Sequence, residues 1–103
     1  MEMEKLPKLA VRVRPYIDLS DRPTKLMGLA ELLIADAFVI KGIRVLAKSE
    51  GDTGLFVVFP AEKGKGMDSD RWHDLAHPVT MEARKACISL ILAEYEKVMK
   101  GGR

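Results

Sequence analysis

Three groups of residues in this chain could do chemistry. The first is Glu62-Lys63-Gly64-Lys65-Gly66-Met67-Asp68-Ser69-Asp70-Arg71, where cations are interleaved with glycines. Lysines set between glycines can approach a phosphate backbone closely, and such contacts supply affinity without reading sequence. Glu62, Asp68 and Asp70 share the segment, so the same pattern also reads as a charged, flexible hairpin tip. The second group is Arg84-Lys85, one short segment further on. Such a pair usually just solubilises a helix end, but the chain order lets it share a surface with Lys63, Lys65 and Arg71. The third group is His73, Asp74 and His77. Two histidines four apart share one face of a helix, yet Pro78 and the strand-like neighbours disfavour a helix here, and no further ligands stand out. His77 reads instead as an anchor for the turn at Pro78. No metal or cofactor is expected.

Other motifs carry less. Gly64-Lys65-Gly66 lacks both the spacing and the following Ser/Thr of a phosphate-binding loop. Ser20, Ser49, Ser69 and Ser89 sit in unrelated contexts, and no nucleophile–base pair emerges, so catalysis is not expected. Met27, Met67, Met81 and Met99 read as core or loop residues. Arg12 and Arg14, two apart on a strand, point to one side and read best as protection of a sheet edge. The single cysteine, Cys87, cannot form an internal disulfide and reads as a buried, inert thiol.

Composition bounds the answer further. The 103 residues suit one domain; 48% are hydrophobic and 31% charged, which favours a folded globular chain over disorder. A net charge of +2, spread evenly, means that any basic footprint has to be assembled by folding. The charged start Met1-Glu2-Met3-Glu4-Lys5 does not read as a secretory signal, and no apolar run approaches a membrane span. A cytoplasmic protein without membrane insertion is therefore expected.

The elements that must position these residues follow from pattern. One domain over 1–103 is expected: a polar lead-in at 1–8, a β-sheet region at 9–75 and a C-terminal helix at 80–100. The first strand runs from Leu9 and is weakened near Pro15. Asp18–Pro23 is dense in turn formers. Leu26–Ala35 reads as a strand joined through Ala35-Asp36-Ala37 to a β-branched run, Phe38–Leu46, in a hairpin. A turn at 50–54 leads to a strand at Leu55–Phe59, ended by Pro60. Residues 61–70 read as a loop and 71–75 as a possible short strand. Thr80 is a plausible N-cap, with Glu82 suiting the helix dipole. Ile88, Ile91, Leu92, Tyr95, Val98 and Met99 then recur at helical spacing, with Cys87 at the margin of the stripe. Arg84 falls in line with that stripe, so its charge has to reach past the core edge. Gly101-Gly102 ends the helix. The expected fold is thus α+β: an antiparallel sheet of four to five strands with a C-terminal helix. The strands look apolar on both faces, Phe38 and Ile40 alternating with Val39 and Ile43. One helix covers one face, so a second copy is expected on the other, giving a homodimer.

Several short motifs, in order and at matching spacing, carry a resemblance. They are Phe38-Val39, Ile43-Arg44-Val45, Gly54-Leu55-Phe56-Val57, Pro60, Ala76-His77-Pro78 and Glu94-Tyr95. Over roughly 9–98 the chain resembles the SpoVG family, the stage V sporulation protein G or septation-regulator group. The resemblance implies a small, cytoplasmic, dimeric protein with a β-sheet and a C-terminal helix, not an enzyme. It also implies a link to septum formation and sporulation, with DNA or RNA as the partner of a gene regulator. The family's basic region after the proline-ended strand falls on Lys63, Lys65 and Arg71, and its basic helix start on Arg84 and Lys85. The alternative is a septation-associated module that acts through protein contacts, using a sheet edge or the 16–25 loop, without binding nucleic acid directly.

Overall fold

The computed structural model describes residues 6–16, 25–48 and 54–101. The expected turn at 18–23, all but Gly54 of the turn at 50–54, most of the 16–25 loop and the first five residues lie outside the described residues. Four strands, β1 (Leu9–Pro15), β2 (Leu26–Ile34), β3 (Phe38–Ala47) and β4 (Leu55–Val58), form one antiparallel sheet in sequence order. Two further short strands, β5 (Ala61–Lys63) and β6 (Trp72–Asp74), pair only with each other in a separate ribbon. Among the described residues one α-helix, α1 (Met81–Met99), closes the fold. The α+β architecture expected from sequence is therefore the one observed.

The β2–β3 hairpin turns on Ala35 and Asp36, which both adopt positive φ, at 55° and 57°. Two left-handed residues in succession give the turn a twist that matches the flanking strands. The Ala37 N–H closes it by donating to the Ile34 carbonyl at 2.9 Å. Register then follows. Val11 pairs with Leu32 and Val13 with Ala30, placing β1's alternate Leu9, Val11 and Val13 on the core side.

A bulge corrects the sequence reading of β3. Leu32 pairs with Ile40 but Ala30 with Ile43, so a two-residue step on β2 faces a three-residue step on β3. The extra residue is accommodated at Gly42, whose φ of +87° a side chain would resist. Ile40 and Ile43, expected on opposite faces, both join the core. The bulge also sends Arg44 outward and Val45 inward, and Val45 is completely buried.

Thr80 caps α1 as expected, its hydroxyl accepting from the Ala83 N–H at 3.0 Å. At the other end Gly101, at φ +89°, donates its N–H to the Val98 carbonyl. The buried stripe is Cys87, Ile91 and Tyr95, four apart, with Ile88 and Leu92 flanking it. Cys87 thus lies at the centre of the stripe and not at its margin, while Met99 is exposed. The stripe rests on Val13, Ala30, Leu32, Ile43 and Val45. The Tyr95 ring lies where a side chain on Gly28 would be: a Cβ there would meet its edge at 3.2 Å.

The opposite face of the sheet is less apolar than the sequence pattern suggests. Ala10, Leu33 and Val39 form an apolar strip near the hairpin end, but Arg12, Arg14 and Arg44 interrupt it further along. Arg12 reaches Glu31 across the strands at 3.7 Å, an exposed pairing of modest worth.

Burial raises the Cys87 thiol above its ordinary pKa of 9.0, because the apolar stripe disfavours the thiolate. The contribution is present below pH 9.0 and is lost as pH climbs through the raised value. Urea unfolding should therefore show wild type losing more stability between neutral and alkaline pH than Cys87→Ala, by at most about 1.4 kcal/mol per pH unit. Equal pH slopes would show that Cys87 does not titrate with unfolding.

Candidate nucleic-acid interface

Pro60 ends β4 and its carbonyl accepts from the Leu75 N–H at 2.9 Å, pinning the base of the ribbon. Within the ribbon Ala61 pairs with Asp74, Glu62 with His73 and Lys63 with Trp72. The segment expected to be an adaptable loop is therefore ordered: residues 61–63 are a strand, and 71–75 contributes only Trp72–Asp74. Side chains alternate across a strand pair, so Lys63, Trp72 and Asp74 share one face while Glu62 and His73 share the other.

The glycines of this segment do structural work that the sequence reading missed. Gly66–Asp68 forms a single 3₁₀ turn that folds back over Gly64, where a Cβ would collide with the Asp68 carbonyl. The Gly64 N–H donates to the Arg71 carbonyl at 2.8 Å and closes the tip. Asp68 gathers two side chains of the ribbon: one carboxylate oxygen meets His73 Nε2 at 2.6 Å and the other faces Arg71 Nε at 3.8 Å.

At the base of the ribbon lies a groove of about 340 Å³, along the free edge of β4 and beside the start of α1. Arg44, Val58, Phe59, Trp72, Asp74 and Arg84 are among its walls. Arg84 lies over the Phe59 ring, 5.8 Å from its centroid, and donates through Nη2 to the Pro78 carbonyl at 3.4 Å. Its guanidinium thus leaves the apolar stripe and stays exposed, with N–H groups to spare. The Pro78 carbonyl also accepts from His77 Nδ1 at 3.0 Å, the turn-anchoring role expected for this histidine. His77 Nε2 then faces Asp74 at 3.6 Å. Trp72 is 64% exposed.

The five cations singled out from sequence separate into two sets. Lys63 lies on the groove-side face of the ribbon, and Arg84 lines the groove itself. Arg71 falls on the opposite face, engaged with Asp68, and Lys65 sits at the tip, where its carbonyl accepts from the Asp68 N–H. Lys85 is exposed one position beyond Arg84 on α1. Arg44 and Trp72 also line the groove and were not singled out as a site, while Asp74 was considered only beside His73 and His77 and not with the cations. Arg44 was hidden because the bulge decides its face. Trp72 and Asp74 would have been found by reading residues 61–63 as a strand, which makes Lys63 and Trp72 cross-strand partners.

The fold and this surface define a small α+β protein with a one-helix core and a basic, aromatic groove beside it. The SpoVG family model matches residues 7–97, and the chain belongs to that family. It is 33% identical over 78 residues to a SpoVG protein of Anaeromyxobacter sp. (strain Fw109-5), covering 76% of this chain and 74% of the relative. It is 34% identical over 74 residues to a SpoVG 2 protein of Listeria monocytogenes, covering 72% and 67%. The SpoVG protein of Acholeplasma laidlawii is 34% identical over 76 residues, covering 74% of each chain. The names of these relatives associate them with septation. No helix among the described residues is long and apolar enough to cross a membrane.

Gly64→Ala should open the ribbon tip without unfolding the sheet. Hydrogen exchange of the β5 and β6 amides is expected to accelerate strongly while β1–β3 stay protected, since a lone two-stranded ribbon has little stability of its own. Unchanged ribbon protection would show that the tip tolerates a side chain there.

Proposed function

We propose that this protein is a cytoplasmic, non-catalytic, nucleic-acid-binding regulator that acts as a homodimer within its family's septation and gene-regulation role. The observation that carries the reading is the convergence of Arg44 and Arg84 on one groove, with Lys63 on the adjoining ribbon face and the exposed Trp72 between them. Cations supply affinity for a phosphate backbone, and an exposed aromatic supplies a surface for bases. Lys85, next to Arg84, extends the positive edge, whereas Arg71 is partly neutralised by Asp68 and contributes less.

A second copy is the proposed cover for the apolar strip of Ala10, Leu33 and Val39, of which Val39 is 48% exposed. A two-fold pairing through that strip would give the assembly one groove per subunit. The alternative, a septation module working through protein contacts, draws support from the exposed Leu75, Val79 and Met81 around the ribbon base and helix start.

Fluorescence anisotropy with DNA and RNA pools across a salt series tests the reading. Wild type should bind with strong salt dependence. Arg84→Ala and Lys85→Ala should each weaken binding several-fold at low salt and make the log–log salt slope shallower by about 0.7–1. Wild-type binding unaffected in both variants would remove this surface, and no binding at low salt by a folded protein would favour the protein-contact alternative.

A further inference from the structure

The groove contains a group that backbone binding does not explain. A surface made only to hold phosphates gains nothing from a carboxylate, yet Asp74 lines the groove on the same ribbon face as Trp72. Its nearest side-chain partner among the described residues, His77 Nε2, stands 3.6 Å away, beyond hydrogen-bonding distance. The Asp74 side chain is 57% exposed, so both carboxylate oxygens keep lone pairs for a ligand. Trp72, two residues before it, offers its indole to solvent. Around these two lie cations, Arg44 and Arg84 in the groove walls and Lys63 directly across the ribbon from Trp72.

We infer that this groove seats one unstacked base of a single strand, and that Asp74 makes guanine the preferred base. This deepens the nucleic-acid reading and rests on it. The base stacks on Trp72, and the cations on either side take the flanking phosphates. A carboxylate presents two acceptors side by side, and guanine's ring N–H and exocyclic amine present two adjacent donors on its Watson–Crick edge. Uracil and thymine place acceptors on both sides of their single ring N–H, so they set oxygen against the carboxylate. Adenine offers an amine beside an acceptor nitrogen. Cytosine's amine also sits beside an acceptor nitrogen. In a duplex the Watson–Crick edge is occupied, so the seat is specific to single strands.

Trp72 is the only tryptophan in the chain, so its fluorescence reports on the seat without a label. The probes are single-stranded uridine octamers carrying one central guanosine, inosine, adenosine or no substitution, with a 16-base-pair duplex as the comparison. The guanosine strand should quench Trp72 and bind about tenfold tighter than all-uridine. Inosine, lacking the exocyclic amine, should lose most of that preference. Asp74→Asn turns one acceptor into a donor and should bring the guanosine and all-uridine strands to equal affinity. Trp72→Ala, followed by anisotropy of labelled strands, should weaken every single strand by about 5- to 150-fold, the range of one lost base–aromatic stack. Trp72→Phe should recover much of the loss, and single-strand binding should fall by a larger factor in Trp72→Ala than duplex binding. Circular dichroism checks the fold of each variant.

Single strands bound equally well by wild type and Trp72→Ala would overturn the seat while leaving the nucleic-acid reading intact. A guanosine preference that survives Asp74→Asn would overturn the role of the carboxylate. Failure of wild type to bind any strand or duplex at low salt would overturn both readings and turn attention to peptides along the β4 edge.

Discussion

Everything else in this fold depends on one packing contact, the stripe Cys87–Ile91–Tyr95 of the helix against Val13, Ala30, Ile43 and Val45 of the sheet. Ile43, Val45 and Ile91 are completely buried in it. Together with Leu32 and Phe59, that contact makes up the buried core among the described residues, and burial of each large aliphatic side chain contributes about 1.5–3 kcal/mol. The helix can satisfy one face of the sheet only. Its start, cap and first turn are consequently fixed beside the end of β4, and this is where Arg84 leaves the apolar stripe to lie over Phe59. The groove is a by-product of where the core ends.

Two local devices convert that core into a candidate site. The bulge at Gly42 inserts a residue into β3, keeps Ile40 and Ile43 inside, and puts Arg44 on the outer surface. The ribbon, pinned at its base between Pro60 and Leu75 and at its tip by the 3₁₀ turn, holds Lys63, Trp72 and Asp74 on one face. Neither device adds much to stability. Both determine which side chains face the groove, and a one-residue change in either register would exchange them for their neighbours. The glycines make this possible by permitting a left-handed backbone at Gly42 and a close backbone approach at Gly64.

Much of this was legible in the sequence where local rules are strong. The helix start at Thr80, its end near Gly101, the order of the first four strands and the hairpin at Ala35–Ala37 follow from caps, periodicity and turn chemistry. The family resemblance, carried by motifs such as Ala76-His77-Pro78, agrees with the family match. Period-2 counting failed at Ile43 because a bulge is invisible to a pattern that assumes regular pleating. It also failed at Ala61–Lys63, where Pro60 and the paired glycines suggested an adaptable loop while backbone pairing with Trp72–Asp74 prevailed. The apolar character of the outer face was overstated for the same reason: with the bulge in place, Arg44 joins Arg12 and Arg14 there. The candidate cations were found as residue types, but their partition between the groove and the Asp68 cluster depends on strand pairing that composition does not contain.

One-sided coverage of the sheet leads most directly to a mass. Sedimentation equilibrium of the wild-type protein at micromolar concentration should give twice the chain mass of 11.5 kDa. Val39→Glu places a charge in the apolar strip, at a position 48% exposed and outside the core, and should give a folded monomer. A monomeric wild type, or a variant that remains fully dimeric, would contradict the claim that a second copy covers the face the helix leaves open.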